Sequence, residues 1–280
     1  VWDIRKLIDD RFAHMGLYGV KLFVRGRWIT IPVDDYFPVI ALTKYETAAQ
    51  SQHRRWESCF CSISNYDNAV SSRKELWGPL IEKAYSKLAG SYANSDSMNV
   101  GSLGYILNTL TGGDAERVES ESPEMWNKIT SSPCNCVIAT PRVDYRKKFP
   151  HVKIGPDEVT SEGLVLSHVY SVIDWLEKDG VRLICVRNPW GNTSWNGAYS
   201  KRHSSWNKHP HLLDHARAAE VKMGKFMTES EKELAASIHS KTGSKSYLEN
   251  DGMCWMEYKD FCERFRIYVC DLSEERSTNL

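Results

Sequence analysis

The sequence predicts an α+β fold, with a helix-rich first part and a second part rich in antiparallel strands. Three observations lead to this prediction. Residues 72–90 place apolar side chains at the 3.6-residue period of an amphipathic helix. Residues 19–33 and residues 164–188 each contain two alternating apolar runs that are separated by a turn with a glycine. Such runs are typical of β-hairpins, and therefore of antiparallel sheets.

The first part is predicted to hold three helices beside its hairpin. A short amphipathic helix is expected over residues 3–14. In the second helix, Ser72 and Glu75 have the spacing of a capping box, and Gly90 suits the helix end. A third short helix is expected over residues 101–110.

In the second part, helices are predicted at 114–130 and at 229–238. Two polar stretches are predicted to lie on the surface, residues 141–162 and a longer insertion at 192–252. The alternating apolar pattern predicts further strands at 136–140, 254–258 and 266–270.

The bulk composition narrows the function classes. Among 280 residues, 36 are Lys or Arg and 36 are Asp or Glu. This balance argues against nucleic acid or an anionic membrane as a partner, because both usually select a basic excess. No apolar run is long enough to span a bilayer, and the first residues resemble neither an initiator methionine nor a signal peptide. We therefore expect a piece of a longer polypeptide.

Most of the eight cysteines are interpreted as small buried residues with reduced thiols. Several lie within apolar, strand-like runs, where cysteine behaves as a small hydrophobic residue. The two Cys-x-Cys pairs do not have the spacing of the usual zinc sites. This pattern favours an intracellular, cytoplasmic protein.

A possible reaction site lies in the second hairpin. Strand alternation places His168 on one face of the first strand, and Asn188 ends the second. If the connecting loop is centred on Lys178, the two side chains are directly opposite, with Cβ atoms about 5 Å apart. A two-residue loop of Asp179 and Gly180 would instead shift the pairing by three positions.

The pair matters because an Asn carboxamide oxygen can accept the imidazole N–H of His168 and so fix its tautomer. The other ring nitrogen can then act on a thiol, whose pKa an adjacent imidazolium lowers. Trp190 is predicted to lie over the pair and exclude water. The same residues also fit an ordinary core, with a satisfied buried histidine and an asparagine at a strand end. On spacing alone, the ordinary core is the commoner case.

The motifs around the pair are similar to those of calpain-type cysteine peptidases. Residues 167–172 are Ser-His-Val-Tyr-Ser-Val, and residues 186–191 are Val-Arg-Asn-Pro-Trp-Gly, which resemble the family's His and Asn motifs. Further segments match the family in the same order. They are Gly-Arg-Trp at 26–28, Val-Asp-Asp-Tyr-Phe-Pro at 33–38, the helix at 76–92, Thr-Gly-Gly at 111–113 and Asp-Gly-Met-Cys-Trp-Met at 251–256.

This resemblance implies a papain-like protease core of two subdomains and an endopeptidase activity that uses Cys, His and Asn. His168 would be the catalytic base, Asn188 its orienter and Trp190 a supporting residue. The first subdomain would cover residues 1–113 and the second residues 114–272, including the insertion at 192–252. Residues 273–280 would form a linker. Protein substrates would bind between the subdomains, and further domains of the polypeptide would lie on both sides.

One catalytic element of the family has no match in this sequence. The resemblance implies a nucleophile within Gly-Asp-Cys-Trp and an oxyanion-hole Gln before it, both ahead of the first hairpin. Residues 1–18 contain no Cys, and the only glutamines are Gln50 and Gln52. Cys254 precedes a Trp but matches a structural position. The chain is therefore expected to be inactive alone, and the alternative is a non-catalytic calpain-like module that binds proteins.

The resemblance also implies two calcium sites. Glu75 matches a ligand of the first site. At the second site, the acidic positions of the family correspond to Ser194, Lys201, Asp251 and Met253, of which only Asp251 is acidic. Calcium needs several oxygen ligands, and a lysine opposes it. We therefore expect the second calcium site to be lost.

A separate metal site is a weaker interpretation of the histidines in the insertion. These are His203, His209, His211 and His215. Their spacing does not place three of them on one helical face, so a solvated loop is expected instead.

Overall fold

A computed structural model describes residues 4–37, 39–41, 56–58, 76–92, 103–118, 124–131, 135–155, 158–189, 195–201, 203–224 and 252–272. The chain divides into two compact units, with the boundary after Gly113. The first unit contains the elements up to that residue. The second begins at Asp114 and contains the predicted His–Asn hairpin.

The first unit is built on a three-stranded antiparallel sheet in the order β1-β2-β3. The strands are β1 (Ile8–Asp9), β2 (Leu17–Val24) and β3 (Arg27–Asp34), and the last two form the predicted hairpin. Two short strands, β4 (Val39–Ala41) and β5 (Trp56–Ser58), pair separately.

Helices α1 (Trp77–Ala89) and α2 (Leu103–Thr111) complete the described part of this unit. Gly90 ends α1 with a φ of 96°, as predicted. The apolar face of α1 packs on the sheet in a core of Leu7, Val20, Leu22, Val33, Leu80, Ile81 and Ala84. Ser72 and Glu75 lie outside the described residues.

The prediction of a helix over residues 3–14 is wrong. A short 3-10 helix at Ile4–Leu7 leads into β1, and a second one follows at Ala13–Met15. Ile8 pairs with Val20 of the neighbouring strand, so sheet pairing replaces the continuation of the helix. Leu7, one of the apolar residues whose spacing predicted a helix, lies instead in the core of the first unit.

The second unit is built on a six-stranded antiparallel sheet in the order β10-β9-β8-β7-β11-β6. The strand bounds are β6 (Asp114–Val118), β7 (Asn135–Pro141), β8 (Tyr170–Lys178), β9 (Val181–Arg187), β10 (Met253–Glu257) and β11 (Phe265–Asp271). The described α-helices of this unit are α3 (Glu124–Thr130), α4 (Tyr145–Lys148), α5 (Pro210–Gly224) and α6 (Tyr258–Arg264).

Both faces of this sheet are covered where β9 runs through it. Ile184 and Val186 belong to one core, with side chains of α3, α4 and α6. Leu183 and Cys185 alternate with them and belong to a second core, to which Leu212 of α5 contributes. The strand that leads to Asn188 is therefore buried from both sides.

Two predictions for the second unit need correction, and a third is not tested. Residues 114–118 form β6 rather than the start of a helix, because they pair with β11. Residues 141–162 are not a surface excursion, since Tyr145, Phe149 and Val152 are buried in the first core. The predicted helix at 229–238 lies outside the described residues.

The insertion at 192–252 is also more than a surface loop. Trp195 is buried in the first core, while Trp206 and Leu212 are buried in the second. The indole Nε1 of Trp206 donates to the Ser200 carbonyl, 2.8 Å away. The polar composition concealed these few large apolar side chains. Among the described residues, no helix is long and apolar enough to cross a membrane.

Candidate active site

The hairpin formed by β8 and β9 closes through a two-residue turn of Asp179 and Gly180. Lys178 pairs with Val181, and the turn residues have φ angles of 51° and 76°. Two successive positive φ angles are the mark of a type I′ turn, which Asp-Gly favours. The predicted loop centred on Lys178 is therefore wrong, and the two-residue alternative is correct.

A β-bulge between Val172 and Asp174 then changes the pairing by one residue, so that Ser171 faces Arg187. If this register is continued by one residue, Tyr170 is directly opposite Asn188. His168 lies two residues before Tyr170, so it is a diagonal neighbour of Asn188. Diagonal side chains on one face of an antiparallel pair remain within reach of each other.

The two predicted side chains meet through this diagonal. The imidazole Nε2 of His168 lies 2.8 Å from the carboxamide Oδ1 of Asn188. Because that oxygen is only an acceptor, the contact selects the tautomer with hydrogen on Nε2. Nδ1 then has the lone pair, and it is the ring atom able to take a proton.

Asn188, the other partner of the contact with His168, is held in place by its surroundings. Its side chain is fully buried, and its backbone N–H donates to the Gly252 carbonyl, 2.9 Å away. Gly252 has a φ of 73°, a left-handed conformation that suits glycine. The neighbouring strand β10 follows directly, so the orienting amide is fixed by the sheet.

The environment of His168 favours its neutral form. Burial lowers the pKa of the His168 imidazole, and the hydrogen bond with Asn188 opposes this effect without cancelling it. The result is a pKa below the usual value. The Tyr170 ring meets the imidazole edge to face, with centroids 5.3 Å apart. A neutral, oriented imidazole can accept a proton from a thiol and return it to a leaving group.

Composition and spacing did not reveal two features of the segment that leads into β8. Ser167, directly before His168, has a φ of 54°, which is uncommon for a residue with a side chain. Further back, Glu162 accepts two hydrogen bonds from Arg264, at 3.0 Å from Nε and 2.8 Å from Nη2. The partners are 102 residues apart in the sequence, so no local pattern announces the pair.

The structure describes only some of the other predicted site residues. Trp190, Glu75, Asp251 and Ser194 lie outside the described residues. Met253 is buried in the second core, and Lys201 is partly exposed. Cys254 is buried in the first core, as expected for a structural position. Within the described ranges, no three His, Cys, Asp or Glu side chains are grouped as they would be around a metal ion.

Two histidines of the insertion, His211 and His215, lie on α5, and the other two, His203 and His209, flank the 3-10 helix Ser204–Lys208. His203 caps the 3-10 helix Ser204–Lys208. On α5, His211 Nε2 is 2.7 Å from the Asp179 carboxylate, and His215 Nε2 is 3.9 Å from that of Asp174. These pairs join α5 to the hairpin.

Comparison with known proteins identifies relatives of the whole described fold. The model of the calpain family cysteine proteases matches residues 4–271. A calpain-type cysteine protease of Oryza sativa subsp. japonica is 27% identical over 94% of this chain. Calpain-12 of Homo sapiens is 27% identical over 95% of the chain, and calpain-A of Drosophila melanogaster is 24% identical over 96%.

The chain spans only part of each relative, 10% of the rice protein, 27% of calpain-A and 30% of calpain-12. The family model nevertheless covers nearly the whole chain, including both strands of the His–Asn hairpin. The chain therefore belongs to the calpain family of cysteine proteases.

Proposed function

We propose that this chain provides the His–Asn half of the active site of a calpain-like cysteine endopeptidase. The observation that supports the proposal most directly is the 2.8 Å contact between His168 Nε2 and the buried Asn188 Oδ1. It orients a neutral imidazole with the lone pair on Nδ1. Family membership supplies the reaction class, which is hydrolysis of a peptide bond.

In the proposed reaction, His168 Nδ1 removes the proton from a cysteine thiol. The thiolate attacks the peptide carbonyl, and the C–N bond breaks as the imidazolium protonates the leaving amine. Water then hydrolyses the thioester, with His168 again accepting a proton. Asn188 remains neutral throughout and keeps the ring in one orientation.

None of the eight cysteines of this sequence stands in the Gly-Asp-Cys-Trp motif of the family's nucleophile. Cys185, Cys254 and Cys270 are fully or almost fully buried, and burial raises the pKa of the Cys136 thiol to about 11. A buried thiol with a raised pKa is a poor nucleophile. We therefore assign the nucleophile to a segment of the polypeptide outside these 280 residues.

Labelling of the full-length protein by an epoxide that alkylates activated thiols tests this proposal. We expect one cysteine outside the chain to be labelled, and His168→Gln to slow labelling by roughly 100- to 10,000-fold, the usual contribution of a general base. His151→Gln is the matched control, because His151 is an exposed histidine of the same unit. Equal labelling of the native and His168→Gln proteins would contradict the proposal.

The alternative function is a non-catalytic calpain-like module that binds proteins. The observations that favour it are the non-acidic residues Lys201 and Met253 at positions that match calcium ligands, and the long insertion at 192–252. The coding sequence upstream separates the two functions. A Gln followed by Gly-x-Cys-Trp supports the peptidase, and a different residue at the cysteine position supports the module.

We also propose that the second calcium site of the family is absent. Met253 presents an apolar thioether in a buried core, and Lys201 contributes a positive charge. Neither residue suits a cation that binds oxygen ligands. In titration calorimetry, the native chain and the Asp251→Asn variant should therefore bind calcium alike, because there is no tight site for the substitution to remove. No step of the proposed reaction depends on calcium.

For the location of the protein we propose the cytoplasm. Five cysteines in the described part of the chain are reduced, Cys136, Cys185, Cys254, Cys262 and Cys270. Reduced cysteines are usual in reducing compartments. We propose protein substrates and further domains of the same polypeptide as its partners, because the relatives are longer than this chain.

A further inference from the structure

One tyrosine joins the two sides of the segment that ends at His168. The backbone N–H of Val165 donates to the Tyr170 hydroxyl, 2.8 Å away. Val165 and Tyr170 are both buried. The ring of the same tyrosine lies between the His168 imidazole and Phe265, with both pairs of centroids 5.3 Å apart. The side chain thus contacts the segment before the histidine and the histidine itself.

The segment needs such a contact because it makes a turn at residues 166–167, just before His168. Thr160 accepts from the Leu164 backbone N–H through its hydroxyl, 2.9 Å away, and Leu166 N donates to the Glu158 carbonyl, 3.0 Å away. Ser167 then adopts a φ of 54°. Left-handed residues with side chains are strained and persist where neighbouring contacts hold them.

We propose that Tyr170 is a positioning residue for His168. Its hydroxyl holds the Val165 end of the turn, and its ring closes one side of the imidazole. The inference rests on the proposed role of His168 as the base, since only then does the ring orientation matter for the reaction. Tyr170 itself touches neither substrate nor thiol in this assignment.

This role depends on the hydroxyl of Tyr170 and not only on its ring. A phenylalanine would fill the same space and keep the contacts with His168 and Phe265, but it would leave the buried Val165 N–H without its acceptor. A buried donor without a partner is costly, so the turn would open more often. Water would then reach His168 more easily, and the effect of burial on its pKa would decrease.

Tyr170→Phe in the 280-residue chain tests this inference with two measurements that do not require a nucleophile. Hydrogen exchange of the Val165 amide should become roughly tenfold faster. NMR titration of labelled histidine should show the pKa of His168 rising toward its ordinary value. The His168 signal is assigned by its loss in His168→Gln.

Tyr145→Phe is the matched control. Tyr145 is a buried tyrosine of the same core, and its hydroxyl hydrogen-bonds Glu162. Glu162 keeps both hydrogen bonds from Arg264 in this variant, so the segment stays anchored. A comparable loss of stability is expected, without a change in the titration of His168.

A Tyr170→Phe protein with faster exchange at Val165 but an unchanged His168 titration would reduce Tyr170 to a structural residue and overturn the inference. Unchanged exchange at Val165 would overturn it as well. If this variant does not fold, Phe265→Leu loosens the support behind the ring and should also raise the pKa of His168. Failure of the epoxide test instead removes the proposed function while leaving these two measurements valid.

Discussion

Replacing Arg264 by methionine should destabilise the second unit strongly. The Arg264 guanidinium donates to both oxygens of Glu162 and to Asp260, with distances of 2.8–3.0 Å. It also stacks on the rings of Phe149 and Trp195, 4.8 Å from each centroid. Its side chain is 10% exposed, and those of the two carboxylates are 18% and 25% exposed.

The expected magnitude follows from these exposures. Removing one partner of a buried ion pair costs about 3–5 kcal/mol, because it leaves a charge buried without compensation. The carboxylates of Glu162 and Asp260 keep some contact with water, which places the cost near the lower end, at about 3 kcal/mol. For a unit of this size, each kcal/mol lowers the melting temperature by about 2–4 °C, so a decrease of ~6–12 °C is expected.

Urea unfolding and a thermal scan of the whole chain measure this loss. Arg146→Met is the matched control, because Arg146 pairs with Glu158 at 2.6 Å while both side chains are about half exposed. An exposed pair of this kind is worth at most about 1 kcal/mol. In the Glu162→Gln background, the cost of Arg264→Met should decrease, since the buried charge has been removed. Equal losses for Arg264→Met and Arg146→Met would refute the reasoning.

Three further predictions concern the site and its support. Asn188→Ala should lower the pKa of His168 and Asn188→Asp should raise it, as measured by NMR titration, because the first change removes a favourable hydrogen bond and the second adds a negative charge. A shift of the same sign in both variants would contradict the proposed contact. Leu212→Ala should cost about 2–5 kcal/mol in urea unfolding, since this residue is fully buried in the second core, and a loss below 1 kcal/mol would show that the insertion is peripheral. Although burial raises the pKa of Glu162, its hydrogen bonds from Arg264 and Tyr145 lower it overall. Its contribution to stability is thus complete above about pH 4.5 and is lost as the pH falls through its folded pKa. Glu162→Gln should therefore flatten the acid side of the stability profile, and a profile identical to the native one would contradict this assignment.

The local patterns of the sequence were enough to predict the elements that frame the site. Period-two alternation predicted both hairpins, and apolar spacing predicted α1 with its end at Gly90. The family resemblance is confirmed over residues 4–271. These features could be predicted because each depends on residues that are close together in the chain.

The features that were missed depend on distant partners or on one local irregularity. The β-bulge after Val172 changes which residues are opposite, and no residue type announces it. β6 was predicted as a helix because its acidic residues favour one, although pairing with β11 decides the outcome. The prediction that His168 and Asn188 can meet was right for a different geometric reason, since a diagonal contact replaced the expected direct pairing.

The burial of β9 on both faces has a consequence for motion in the site. A strand covered from both sides exchanges its amide hydrogens only when the whole unit unfolds, whereas turns open locally at much lower cost. Asn188 directly follows such a strand, while His168 lies at the end of a turn held by side-chain contacts. Asn188 therefore keeps its position, and any change in the alignment of the two side chains begins with a movement of His168.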